Sequence, residues 1–410
     1  MQKVRGNMLK AYKFRLYPTK EQIVKLNMHF GHTRFVYNYF LEYSKSQYND
    51  GNKTNYNDWS KALTQLKRTE DYSWLKDVNS QTLQQSLMDL QSAFKNFFSH
   101  CGGYPKFKKK NKKNSFRVPQ FVQLYEDEGL IFFPKFGEGI KVRIHRKLPQ
   151  AYKIKQATIS KTPTGKFFVS VLIEIDEPAP VKDIDPQKAI GIDMGLKDFA
   201  ILSDGKRISH PKVLAKYERN VERCQKSLSK KEKGSHNREK ARHKLALVHE
   251  KITNVRMDFI HKLTRELVND SQVDLFALED LNVSGMMKNH KLAKSISDSS
   301  WSMFKRILTY KAESLGKEVI EIDRFFASTK TCSVCGYKAD LTLEIREWEC
   351  PNCHIIHDRD INAAINIRNQ GIMKYTTAGT AGSQACGERV RPANSEAVFY
   401  EAGGPIYTTG

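Results

Sequence analysis

Ala189-Ile-Gly-Ile-Asp-Met-Gly195 is a short apolar run that ends in a carboxylate and a glycine. A run of this length, bounded by turn signals, reads as a buried strand. Asp193 then stands at the strand's end, and Gly195 leaves room for a phosphate or a metal ion to approach. Moving outward, Phe199 to Leu202 is a second strand, and Asp204-Gly205 is a hairpin turn into Lys206-Arg-Ile208. Leu275-Phe-Ala-Leu-Glu-Asp-Leu281 repeats the opening pattern, with Glu279 closing an apolar strand. His357-Asp-Arg-Asp-Ile-Asn-Ala-Ala364 adds Asp360 at the start of a helical segment. Strand and helix signals alternate through this half of the chain, which predicts an α/β domain beginning after Pro178-Ala-Pro180.

Taken singly, a carboxylate at a strand end is more often a cap or a turn residue. The order, separation and context of these three are more specific, and they match what an RNase H-type active site requires. Phosphodiester hydrolysis by two divalent ions, about 3.5 to 4 Å apart, needs clustered carboxylates, and oxygen is the donor Mg²⁺ prefers. Asp358 competes with Asp360 for the third position, and Asp280 competes with Glu279. Asp360 is preferred because it immediately precedes Asn362-Ala-Ala364, whose helix register would fix its direction. Asp358 then caps or orients.

Cys332-Ser-Val-Cys335 and Cys350-Pro-Asn-Cys353 are separated by fourteen residues, between Glu279 and Asp360. Four thiolates in two knuckles suit one structural zinc and leave no open position for catalysis. His354 and His357 are near enough to replace a ligand, but four cysteines already close the shell. Cys353 lies seven positions before Asp360, so the zinc should hold an insertion beside the catalytic cleft. Cys101, Cys224 and Cys386 read as ordinary thiols.

The 410 residues carry a formal net charge of +23. That excess points to a polyanionic partner, nucleic acid before membrane. No stretch approaches the roughly 20 apolar residues of a membrane span, and Met1 to Phe14 lacks the apolar core of a signal peptide. The expected location is the cytoplasm, with Met1 to Asn7 a dispensable leader.

Lys10-Ala-Tyr-Lys-Phe-Arg-Leu-Tyr17 alternates basic and apolar residues, as a half-exposed strand does, and Pro18 ends it. Thr19 followed by Gln22 is a capping-box signature, and the pattern is helical from there to about Ser99. A Lys-rich loop follows, with Lys108, Lys109, Lys110, Lys112 and Lys113. Strand signals then recur at Leu130 to Phe133, Ile140 to Ile144, Ala157 to Ser160 and Lys166 to Ile175. Paired with the first strand, they would form a small barrel interrupted by the helical domain. Leu214, Tyr217, Val221, Cys224 and Leu228, with Ala241, Leu245, Val248, Ile252 and Val255, recur at steps of three and four. They predict an antiparallel helical hairpin whose outer face is dense with Lys and Arg.

Tyr12-Lys-Phe-Arg-Leu-Tyr-Pro18, Thr33-Arg-Phe-Val-Tyr-Asn38, Gly191-Ile-Asp-Met-Gly195, Ser295-Ile-Ser-Asp298, the four cysteines, and His357-Asp-Arg-Asp360 through Ala364 occur in order. Jointly they resemble the TnpB family, transposon-encoded RNA-guided DNA endonucleases related to the type V CRISPR effectors. The resemblance implies a multidomain α+β chain with an RNase H-like (RuvC) core, in which Asp193, Glu279 and Asp360 hold two Mg²⁺ ions. It also implies a zinc-ribbon insertion, a wedge-like β-barrel and a helical recognition lobe. The corresponding boundaries are 8–18 for the first wedge strand, 19–103 for the helical lobe and 104–183 for the rest of the wedge. The nuclease core takes 184–330, with a basic helical hairpin at 211–268. The ribbon takes 331–356, the last core segment 357–374, and a mobile tail 375–410.

A guide RNA from the transposon end would pair with one strand of double-stranded target DNA, while the protein reads a short adjacent motif. For that motif the candidates are Tyr56, Ser80, Gln81 and Gln84, because Gln can bond adenine edges in a groove. Backbone-contact candidates are Lys108, Lys109, Lys110, Lys230, Lys231, Arg238 and Arg242. A monomer is expected, with no membrane partner. The alternatives are a nuclease-inactive RNA-guided regulator and an unguided nuclease or strand-transfer enzyme on the same fold.

Overall fold

The computed structural model describes residues 8–110, 114–176, 180, 183–290, 292–324, 326–342, 345–380 and 399–400. Met1 to Asn7, Lys112-Lys113, Pro178-Ala179 and most of the expected tail, Cys386 included, lie outside them. The chain forms two compact units, Met1–Pro178 with Arg389–Glu401 and Ala179–Glu388 with Ala402–Gly410. Among the described residues no helix is long and apolar enough to cross a membrane.

In the first unit β1 (Met8–Tyr17) leads into α1 (Lys20–Asn49) through the expected capping box, with Thr19 Oγ1 accepting from Gln22 N–H. The helical part continues with α2 (Tyr56–Leu66), a 3₁₀ segment (Glu70–Asp77) and α3 (Ser80–Phe98). Val36, Phe40, Trp59, Leu63, Leu75, Leu83 and Leu87 form its core. The chain then returns to the sheet as β2 (Asn114–Val118), β3 (Gln123–Tyr125), β4 (Leu130–Phe132), β5 (Ile140–Arg143), β6 (Lys153–Lys161) and β7 (Phe167–Ile175).

Strand order is β2-β6-β7-β1-β5-β4-β3, with antiparallel neighbours. β1 therefore sits between strands far from it in sequence. Phe14, Leu16, Phe116, Ile131, Val142, Val169 and Val171 share one core. Two points differ from expectation. β2 and β3 are additional strands, short and set among charged residues, and among the described residues no hydrogen-bonded pairing joins them to close the path.

The second unit holds β8 (Ala189–Met194), β9 (Asp198–Leu202), β10 (Arg207–Ser209), α4 (Val213–Ser229), α5 (His236–Asn269), β11 (Leu275–Glu279), α6 (Val283–Met286), α7 (Ala293–Ser299), α8 (Trp301–Ser314), β12 (Glu318–Ile322), β13 (Glu347–Glu349), β14 (Ile356–Asp358) and α9 (Arg359–Thr380). Its main sheet runs β10-β9-β8-β11-β12, with the hairpin strands antiparallel and β8, β11 and β12 mutually parallel. α4 and the first half of α5 pair along Val213, Tyr217, Val221, Leu245, Val248 and Ile252, close to the expected seam. α5 then continues towards the sheet, where Phe259 and Phe304 of α8 both pack edge-on against Phe199.

α9 lies directly on β8 and β11. A side chain at Gly191 would collide with the backbone at Ala364 and Arg368, and one at Gly371 would strike Ala277. Gly191 is therefore the glycine that close packing demands. Gly195 serves the β8–β9 turn, where a Cβ would meet the Asp198 carbonyl. α9 also runs through Thr380, past Tyr375, where the mobile tail was expected to begin.

Candidate active site

β8 and β11 are adjacent and parallel, with Gly191 beside Ala277 and Ile192 beside Leu278. That register brings Asp193 and Glu279 to neighbouring strand ends, and Asp360 arrives from the first turn of α9. The three carboxylates share one field. Burial first, then the charges of Glu279 and Asp360, push the Asp193 carboxyl up to about 7 against the opposing charge of Arg359. Burial also raises Glu279, against a hydrogen bond donated by the Ser328 hydroxyl. Asp360 is flanked by cations, with Arg346 Nη1 2.8 Å from Oδ2 and Arg359 Nη2 3.2 Å from Oδ1. Desolvated carboxylates of one sign that act on one another, as Asp193 and Glu279 do, are what a divalent cation relieves, and oxygen donors suit Mg²⁺.

The competing acids have other duties. Asp358 Oδ1 accepts from the backbone N–H of Asp360 at 3.1 Å and of Ile361 at 3.0 Å, which caps α9. Its other oxygen lies 2.6 Å from Arg207 Nη2. Asp280 pairs with Arg324 at 2.6 Å.

The four cysteine sulfurs lie within 4.8 Å of one another, with Cys332 to Cys353 at 3.6 Å and Cys335 to Cys350 at 3.5 Å. A tetrahedral ion with Zn–S bonds of about 2.3 Å sets its sulfurs about 3.8 Å apart, so the cluster fits zinc closely. Each knuckle turns through a left-handed residue just after its second cysteine, Gly336 at φ 76° and His354 at φ 59°. His357 is buried and places Nε2 3.1 Å from Cys332 Sγ, so it orients a ligand sulfur from outside the set. His354 faces Glu349 instead, at 3.0 Å.

Among the nucleic-acid candidates, Ser80 and Gln84 are exposed on the first turns of α3, while Tyr56 is half-buried against the helical core. Gln81 Nε2 donates to Gln120 Oε1 at 2.8 Å. Lys109, Lys110, Lys230 and Lys231 are exposed, as is Arg242, 3.6 Å from Glu239. Two candidates have structural work. Lys108 Nζ sits 4.0 Å over the Tyr37 ring and 3.5 Å from Asp89, fastening its loop to the helices. Arg238 Nη1 donates to the carbonyls of Leu228 and Lys231 at 3.0 and 2.5 Å, closing the hairpin turn.

Some residues around the site carry no sequence signal. Ser328, Asn362 and Asn366 are small buried polar groups whose partners are mainly backbone atoms. Asp298 lies in the quoted Ser295-Ile-Ser-Asp298 motif, and its partners emerge only in the fold. It accepts from Leu214 N–H at 2.9 Å and pairs with Arg256 at 2.6 Å.

Three family models match the chain. One described as "Probable transposase" covers residues 170–290, a "Cas12f1-like, TNB domain" covers 301–367, and a "Helix-turn-helix domain" covers 8–53. In this chain 8–53 consists of β1 and the single long helix α1. A Streptomyces pristinaespiralis protein named "Putative RNA-guided DNA endonuclease" is 39% identical over 386 residues, 93% of this chain and 92% of that protein. "Putative RNA-guided DNA endonuclease InsQ" from Escherichia coli K12 is 32% identical over 400 residues, 93% of this chain and 95% of that one. "TnpB-like protein L79" of Acanthamoeba polyphaga mimivirus is 24% identical over 90% of this chain and 74% of that one. In fold, the chain resembles the protein of a cryo-EM Cas12f1-sgRNA-target DNA complex, with TM-score 0.55 and 16% identity over 85% of this chain and 83% of that one.

Proposed function

The chain belongs to the TnpB family, and from that premise we propose that it is an RNA-guided, Mg²⁺-dependent DNA endonuclease associated with a transposon. The observation that carries the proposal is the convergence of Asp193, Glu279 and Asp360, in which the first two carboxyls are desolvated and the charges of the other two acids act on Asp193. We read the sheet around them as an RNase H-like core, since its antiparallel β10-β9-β8 run followed by parallel β11 and β12 sets two acids at adjacent strand ends. Two Mg²⁺ ions held by these carboxylates would supply an activated water and neutralise the leaving oxygen of the scissile phosphate.

The chain's own groups do the rest. Asp358 fixes the first turn of α9 and hence the direction of Asp360. Arg346 and Arg359 balance the Asp360 charge, and the guanidinium of Arg346, half-exposed, is placed to meet a phosphate. The four-cysteine ribbon, read as a zinc site, presents nucleic acid beside the cleft and takes no part in the chemistry. The excess positive charge supports polyanion binding, and the likeness in fold to the protein of a Cas12f1-sgRNA-target DNA complex supports a guide RNA and a DNA target. Presence of all three acids weighs against a nuclease-inactive regulator.

The test is purification of the full chain from cells that also carry its transposon. A discrete co-purifying RNA and Mg²⁺-dependent cutting of matching DNA, lost in Asp193→Ala, are expected. Full-rate cutting without RNA would instead favour an unguided nuclease, and RNA-dependent DNA binding without cutting would favour the regulator.

A further inference from the structure

We propose that the segment Ser328 to Ser333 couples the four-cysteine metal site to the carboxylate cluster, so that zinc in the ribbon strengthens divalent-cation binding at Asp193, Glu279 and Asp360. This rests on the reading of those acids as metal ligands.

The coupling is a continuous run of short bonds. The Ser328 hydroxyl donates to Glu279 Oε1. The Ser328 carbonyl accepts from Asn366 Nδ2 at 2.8 Å, and the same amide donates to the Thr331 carbonyl at 2.6 Å. One turn earlier on α9, Asn362 Nδ2 donates to that Thr331 carbonyl at 2.7 Å, and Asn362 Oδ1 accepts from Ser333 N–H at 2.9 Å. The next residue after Thr331 is the metal-site thiol Cys332. Ser328, Asn362, Asn366 and Cys332 are all buried. Releasing the Asn366–Ser328 bond leaves buried polar groups unpaired, and the part-buried bonds on either side tie the rest of the segment to it, so the segment tends to move as a unit.

The two ends depend on different sources of stability. The body of α9 is held against the sheet by close packing at Gly191 and Gly371. The ribbon buries little beyond Cys332, Trp348 and Cys350, with Ala339, Leu341 and Cys353 against them. A core that small needs a metal ion to fold. With no ion, Cys332 loses its anchor, the Ser328 to Ser333 segment relaxes, and Glu279 loses the donor that orients it. Asp193 keeps its place on β8, whereas Asp360 also loses the support of Arg346 from the ribbon. Ser328 is thus a positioning residue for Glu279, and Asn362 and Asn366 transmit the state of the ribbon.

The experiment follows Mn²⁺ binding by electron paramagnetic resonance on the full-length protein, with zinc content measured in parallel. Wild type should bind Mn²⁺, and Asp193→Ala should abolish it. Ser328→Ala should keep its zinc and weaken Mn²⁺ binding by about ten- to a hundredfold, the usual effect of removing an outer partner of a ligand. Cys350→Ser, or zinc stripping, should weaken it by a similar factor. Unchanged Mn²⁺ affinity in zinc-loaded Ser328→Ala, with Asp193→Ala still abolishing binding, overturns the coupling and leaves the carboxylate reading standing. Wild-type Mn²⁺ binding that survives Asp193→Ala overturns both.

Discussion

At the scale of single residues, Asp193 concentrates the conflict between folding and function. Its folded carboxyl titrates near 7 because burial and two other acids oppose its charge, whereas an unfolded aspartate titrates near 4. Between those values the native state holds the extra proton, so stability falls as pH rises through the interval and the penalty is complete above it. Asp193→Asn should therefore stabilise the metal-free protein at pH 8 by about 2–4 kcal/mol, a gain that shrinks steadily towards pH 5. Thermal melts at both pH values check this, and a gain independent of pH would refute it. Gly191→Ala should act the other way. Its methyl meets the α9 backbone, which cannot yield as a side-chain tip can, and a loss of about 3 kcal/mol or more in denaturant melts is expected.

At the scale of elements, legibility followed distance in sequence. Asp193 and Glu279 could be read from apolar runs that ended in an acid, and the α4–α5 seam from its periodicity. Asp358 could be separated from Asp360 only in part, because its capping bonds and its pair with Arg207 belong to the folded chain. Lys108 and Arg238 looked like solvent-facing cations, and nothing local betrayed the Tyr37 ring or the Leu228 carbonyl that engage them. Asp298 illustrates the same limit. α4 begins with Lys212 in a left-handed conformation and no side-chain cap of its own. Asp298 supplies the acceptor from α7 and neutralises Arg256 of α5. Asp298→Ala leaves a largely buried guanidinium without this partner, so a loss of about 3–5 kcal/mol is expected. Hydrogen exchange should show its largest increase at the first turn of α4, and uniform protection would contradict the role given to Asp298.

At the scale of the whole molecule, an excess charge of +23 makes nucleic-acid affinity a function of ionic strength. Affinity for non-matching duplex DNA should fall by about a thousandfold or more between 50 and 200 mM salt if six or more phosphates are contacted. A flat titration would mean that the exposed lysines do not meet the backbone. The placement of β1 between β5 and β7 has a different kind of consequence, one of timing. Met8 pairs with Ile175 and Leu16 with Phe167, so the first strand leaves the ribosome long before its neighbour is made. At 5–20 residues per second that wait is on the order of 10–30 s. The helical insert from α1 to α3 is complete well before then and can fold first, with β1 dangling. A nascent chain arrested after about 150 residues should therefore be protease-resistant across the helices and cleavable in the first strand.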